Sequence, residues 1–283
     1  MLLQFGMGSV VRNIVRLVGT VSDRRDIVGA NDLRKGFMVF LNRLQPRPLL
    51  PRTDELRFVE NIEDSNVLKN YFSNDSVLDD KSQSEVILVG GGDDVSEKIR
   101  IVKSGLLALG ELNAGYYEVF HLIMTDILVL PSNIARAGST SQSIGVIWIN
   151  PKLTYVDNDI LEIIVHELTH QLMFLDELCL PHYNYEMIAD VENWPVSAVL
   201  NINRPFDKVL HSAVVAMEII LLRRDHIGDP DKPLIHPPTD VLKTQLINTV
   251  NSMEKVLNKK SDILRDRGRE VVDVLINNMI LLR

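Results

Sequence analysis

The stretch that most constrains this chain runs from about Ile160 to Leu178. It is helical in period, apolar on most of its surface, and interrupted by His166-Glu167-Leu168-Thr169-His170. Asp157, Asn158 and Asp159 precede it and supply capping oxygens and negative charge at a helix N-terminus. Ile163, Ile164 and Val165 before the motif, and Leu168, Leu172, Phe174 and Leu175 after it, predict a largely buried helix. Such a helix must be covered by other elements, so the chain needs a core built around it. Positions four apart share a helix face, which lets His166 and His170 aim their imidazoles at one point. Two imidazoles on a buried helix are costly unless something binds them, and a divalent metal satisfies both. Glu167 lies beside that face, within reach of a metal-bound water.

The rest of the pattern is mainly helical with a few strands. Helices are expected at Val10–Val21 and Asn31–Leu44, the second stopped by Pro46, Pro48 and Pro51, and at Ser96–Val119. Asn74–Ser84 reads as loop, Glu85–Val89 as a short apolar run, and Gly90-Gly91-Gly92 as a turn, since no Gly-Lys-Ser/Thr follows to make a phosphate loop. Leu122–Leu130 and Gly145–Ile149 read as strands, with Gly138-Ser139-Thr140-Ser141 a polar loop between them. A short helix at Tyr185–Glu192 follows the motif. Next come a helix opened by Arg204-Pro205 and running to Arg224, a proline-marked loop at 230–238, and two amphipathic helices, Asp240–Asn258 and Asp262–Leu282. The expected fold is α+β and mainly helical, a zincin-like motif helix packed on a small β-sheet. The chain reads as one domain, 1–283, with a helical lead-in over 1–100 and a metal-binding core over 101–283 as its lobes.

Composition narrows the function classes. A net charge of −8 without a long Lys/Arg block gives no general attraction for nucleic acid or anionic lipid. The single cysteine, Cys179, cannot form an internal disulfide or a thiolate-rich zinc site, and its flanks, Leu178 and Leu180, favour a small buried residue. Met1–Val21 is broken by Gly6, Gly8, Arg12, Asn13 and Arg16 and does not read as a signal peptide. Ala213–Leu222, the nearest approach to a membrane span, is too short and carries Glu218. A cytoplasmic setting is the expectation.

A catalytic metal needs a third ligand. Asp176 stands where a longer version of the motif would put one, but that version needs a glycine at position 173 to end the helix, and Met173 is there. With the helix continuing, Asp176 lies about 9 Å along the axis from His170. Glu186, in Glu186-Met187-Ile188-Ala189-Asp190, resembles the Glu-x-x-x-Asp helix that supplies the third zinc ligand in thermolysin-like peptidases. His211 and Glu218 share a face of an otherwise apolar helix, where both are costly unless they bind something. His211 is the stronger ligand candidate, and Glu218 is better placed to orient a ligand. His121, His226 and His236 sit in junction or proline-rich surroundings and read as surface or loop residues.

Four segments carry a family resemblance: Gly138–Ser141, Gly145–Ile149, Val165–His170 and Arg204-Pro205-Phe206-Asp207-Lys208-Val209-Leu210-His211. Together the region from Ala137 to Arg224 resembles the His-Glu-x-x-His-type 2-oxoglutarate-dependent peptide β-hydroxylases found near ribosomally made peptide gene clusters. The Arg-Pro followed by a helix bearing Leu-His is the most discriminating block. Residues before about 100 and after about 225 match nothing in that group, and the chain is short for it. The resemblance implies Fe(II) and 2-oxoglutarate as cofactors, held by His166, His170 and His211. Arg204 would bind the distal carboxylate of 2-oxoglutarate. It also implies a peptide substrate, such as a ribosomally made precursor. The competing reading is a zinc peptidase with His166, His170 and Glu186 as ligands, Glu167 as general base, and Tyr183, Tyr185 or His182 at the oxyanion. A third is a non-catalytic, metal-containing peptide-binding module.

Overall fold

The computed structural model describes residues 6–23, 27–47, 49–72, 87, 94–133, 135–197 and 202–281. The segments read as a loop at 74–84 and as a turn at 90–92 lie outside the described residues, as do Pro48 and the 85–89 run apart from Ile87. Helices dominate and strands are short, so the fold is mainly helical α+β. Backbone contacts separate the described residues into two compact units, one from 7 to 175 and one from 176 onward. Among the described residues, no helix is long and apolar enough to cross a membrane.

The first unit begins with α1 (Gly6–Val18) and α2 (Ala30–Leu44). Gly36 of α2 lies against Val18: an added Cβ would come within 2.4 Å of Val18 Cγ1, so the two helices touch through the absence of a side chain. Then follow β1 (Arg57–Val59), α3 (Ile62–Lys69), α4 (Val95–Leu112), α5 (Ala114–Ile123), β2 (Asp126–Val129), β3 (Ala137–Ser139) and β4 (Val146–Ile149). The sheet order is β1-β2-β4-β3. β1 and β4 run parallel to β2, with Arg57 and Val146 both opposite Asp126, and β3 closes the edge antiparallel, Gly138 opposite Trp148. Every residue of β2 and β4 is buried, as central strands covered on both faces must be. On one side Leu50, Leu68, Phe72, Leu128, Val146 and Trp148 form an apolar cluster.

Helix α6 (Asp157–Cys179) carries the motif. Asp157 and Asp159 stand in its first turn, and the Asp159 carboxylate accepts from the Val156 amide at 3.0 Å. It is fixed to the sheet by one buried side chain. Gln171 accepts from the Gly145 amide at 2.8 Å and donates to the Val146 carbonyl at 3.2 Å, satisfying the backbone where β4 begins. Gly145 has φ +84°, and a Cβ there would lie 2.9 Å from the Ile123 carbonyl, so only glycine fits this entry to the strand. Gly105 of α4 admits Ile160 from the first turns of α6 in the same way, at 2.3 Å from an added Cβ.

Four local expectations are corrected. The single helix over Ser96–Val119 is two, α4 and α5, because Asn113 turns out of helical conformation and its side chain accepts from the Tyr116 amide, starting a new helix. The strand over Leu122–Leu130 is confined to Asp126–Val129, since Leu122 and Ile123 finish α5. The polar loop at 138–141 is β3 followed by a 3-10 turn capped by Thr140; Gly138 and Ser139 pair with β4 instead of solvent. The helix over Tyr185–Glu192 shrinks to four residues, α7 (Tyr185–Ile188), with a separate 3-10 turn at Val191–Asn193 capped by Asp190.

The second unit is built on α8 (Phe206–Leu222), apolar all round and buried along almost its whole length. Pro205 caps it, where its missing amide costs nothing. α9 (Thr239–Leu257) and α10 (Asp266–Leu281) pack on α8, and β5 (Val196–Ser197) pairs with β6 (Ile202–Asn203). Arg223, 1% exposed, ties the end of α8 to the following loop by donating to the Pro237 carbonyl at 2.7 Å and the Thr239 hydroxyl at 3.2 Å.

Candidate metal centre

Almost all of α6 between Ile160 and Leu175 is buried; the half-exposed positions are His166, His170 and Phe174. They are spaced by four and line one face. The His166 and His170 rings lie 5.0 Å apart, tilted by 58°, and the Phe174 ring stacks beside His170 at 6.4 Å. The accessible stripe of an otherwise covered helix therefore consists of two imidazoles and one phenyl ring. Two rings at this spacing, reached from outside and backed by apolar packing, suit two ligands of one ion.

Glu167 turns the other way, into the unit. Its side chain is 3% exposed, its Oε1 lies 3.9 Å from His166 Nε2, and its Oε2 has no hydrogen-bond partner. Burial pushes its carboxyl up to about 8, with the Ser139 hydroxyl of β3 pulling partly back. A carboxyl in that state exchanges a proton near neutral pH, beside the face a metal would occupy. Sequence reading singled out Ser139 only as part of a motif block, and its place beside Glu167 follows from β3 being a strand.

The other candidates lie in the second unit. His211 is 6% exposed on α8; burial first, then the charges of Lys208 and His182, hold its ring well below the usual histidine range, so it is neutral and keeps a lone pair. Glu218 is 3% exposed, two turns further along the same helix. Arg204 is half-buried just before α8, its amide donating to the Pro195 carbonyl at 3.1 Å. Asp207 pairs with Lys208 at 3.4 Å. Glu186 is exposed on the four-residue α7, and Asp190 falls beyond that helix. Among the described residues, no group of three or more His, Cys, Asp or Glu side chains is gathered closely enough to hold a metal ion.

Helix α6 continues past Met173, and Asp176 is committed elsewhere. Its carboxylate, 2% exposed, accepts from His182 Nε2 at 2.7 Å and from Arg267 Nε and Nη2 at 2.8 and 2.9 Å. Nothing local in the sequence signals this network, because Arg267 is 91 residues away from Asp176. Burial alone would raise the Asp176 carboxyl, but the bonds from His182 and Arg267 outweigh it and hold the group down at about 2. A depressed carboxyl stabilises the fold fully above its unfolded value near 4, and that contribution is lost as pH falls through about 2. Between pH 5 and pH 2.5, urea unfolding is expected to show a loss of stability larger by on the order of 2 kcal/mol in the wild type than in Asp176→Asn. Equal losses in both proteins would refute the assignment.

No protein-family model matches the chain, and no curated protein matches it.

Proposed function

We propose that this chain is a metal-dependent enzyme centred on His166 and His170, acting as an Fe(II)- and 2-oxoglutarate-dependent oxygenase that hydroxylates a peptide side chain. The observation that carries the metal reading is the half-exposed imidazole pair on a buried helix, 5.0 Å between rings, with a Glu167 carboxylate oxygen 3.9 Å from His166 Nε2. The oxygenase reading rests on the sequence resemblance, which assigns His211 as third ligand and Arg204 to the distal carboxylate of the cosubstrate. Its local chemistry is favourable: a neutral imidazole on a long rigid helix is a competent ligand. Iron with 2-oxoglutarate would supply O2 activation for hydroxylation of a C–H bond. The chain's own part is to present the imidazoles on a helix held rigid by apolar packing, with the Glu167 carboxyl buried beside them. Glu218, buried on the same face of α8, is assigned to support a ligand from outside the set. A cytoplasmic setting, where the buried Cys179 stays a thiol, and a ribosomally made precursor peptide as substrate belong to the same reading.

The zinc-peptidase reading draws support from Glu167, whose buried carboxyl suits a general base. It loses support at Glu186, because the Glu-x-x-x-Asp helix it requires is one short exposed turn. Turnover separates the readings. The oxygenase predicts Fe(II)-dependent conversion of 2-oxoglutarate to succinate, abolished by His170→Ala. A peptidase would instead cleave casein with zinc, and Glu167→Gln would stop it. A protein that binds metal and does neither would be the non-catalytic peptide-binding module.

A further inference from the structure

The first unit holds a second concentration of charge that shares no residue with the motif. Asp126, the first residue of β2, has a side chain 1% exposed. Arg47 Nη2 donates to its Oδ2 at 2.7 Å, Arg57 Nε from the neighbouring strand donates to its Oδ1 at 2.6 Å, and the Thr125 hydroxyl donates to Oδ2 at 2.8 Å. Arg52 is close enough to be influenced by both Asp126 and Arg47. Two guanidinium groups, Arg47 and Arg57, therefore share one carboxylate, with Arg52 and Arg34 also within its electrostatic reach.

The surplus shows as unmet donors. Arg47 Nε and Nη1, and Arg52 Nε and Nη2, are buried without a hydrogen-bond partner, although such groups are nearly always satisfied in native proteins. Arg52 is held in place through its remaining nitrogen, Nη1, which donates to the Asn42 side chain at 3.1 Å and the Gln45 carbonyl at 2.7 Å. What is left free is the Nε–Nη2 edge, the edge that a carboxylate or phosphate accepts with two oxygens. Burial, reinforced by the charge of Arg47, draws the Arg52 guanidinium down to about 10, with Asp126 and Tyr71 pulling partly back. The side chain of Arg57 is 24% exposed and opens the cluster toward solvent.

We infer that Arg47, Arg52 and Arg57 around Asp126 form a binding site for a small oxyanion, a phosphate or a carboxylate, with the free edge of Arg52 as its principal contact. An acceptor-only ligand of this size meets the donors without adding one of its own. A polyanion such as nucleic acid is disfavoured by the overall charge of −8.

The test is calorimetric titration of the full chain with inorganic phosphate and, separately, with succinate, the ionic strength held constant with chloride. Saturable binding of either anion is expected, and the preference between them assigns the ligand class. Affinity should fall at least tenfold in Arg52→Lys, which keeps the charge but loses the two-pronged edge, and binding should vanish in Arg52→Leu. Circular dichroism of both variants checks that the fold is intact. No saturable binding of either anion to the wild type, or undiminished binding in both folded variants, would overturn the site.

Discussion

Replacing His170 by alanine is expected to weaken metal binding by more than the roughly 10–100-fold that loss of a supporting partner costs, because a ligand itself is removed. His166→Ala should do the same. Both residues are half-exposed on the accessible stripe of α6, so neither replacement opens a cavity in the core, and unfolding free energy should change by less than about 1 kcal/mol. Glu167→Gln, by contrast, should retain the metal, since its carboxylate faces inward and is not a proposed ligand. Competition against a chromogenic chelator with Fe(II) or Zn(II) measures all three. Unchanged affinity in both histidine variants would remove the motif from the account.

The largest stability effect is expected at Asp126. Its carboxylate, 1% exposed, is the shared acceptor of Arg47 and Arg57. Asp126→Ala leaves two guanidinium groups facing each other with no counter-charge, and removing one member of a buried pair costs about 3–5 kcal/mol. Asp126→Asn, which keeps the shape and loses the charge, should cost nearly as much. At this chain length each kcal/mol corresponds to roughly 2–4 °C in melting temperature, so a fall of about 10 °C is expected by differential scanning calorimetry. A fall of under about 2 °C would mean that the charges are solvated and the ion pair contributes little.

Much of the helical frame was legible because it rests on local signals. The motif helix showed its caps, its apolar flanks and its period, and α6 runs from Asp157 to Cys179 as those signals imply. Pro205 marked the start of α8, and the runs after residue 238 gave α9 and α10. What was not legible depends on pairing across long separations. Gly138 and Ser139 look like loop residues and become strand only because β4 offers an edge. β1 has three residues and no period of its own; it exists because Arg57–Val59 can align with β2. Asn113 carried a signal that was missed, since an asparagine between two apolar helical runs is a cap as readily as a helix interior.

The site divides along the same line. His166, Glu167 and His170 were legible because helix geometry alone brings them together. The inward turn of Glu167, its contact with Ser139 and the anchoring of α6 by Gln171 needed the sheet. Asp176 illustrates the reverse: sequence spacing could rule it out as a ligand, but only the fold reveals its pairing with His182 and Arg267. The arginine cluster around Asp126 had no sequence signature, because Arg47, Arg52 and Arg57 are isolated cations in and just after a run of prolines.

In the proposed oxygenase, His166 and His170 hold iron with the His211 that the resemblance assigns, and the iron also takes 2-oxoglutarate. Anaerobic reconstitution with Fe(II), followed by 2-oxoglutarate, tests it through the weak visible metal-to-ligand charge-transfer band. A band that requires both components and is absent from His170→Ala and His211→Ala is expected. No band in the wild type, with tightly held zinc that survives His211→Ala and is lost in Glu186→Ala, would contradict the oxygenase reading and establish a zinc site instead.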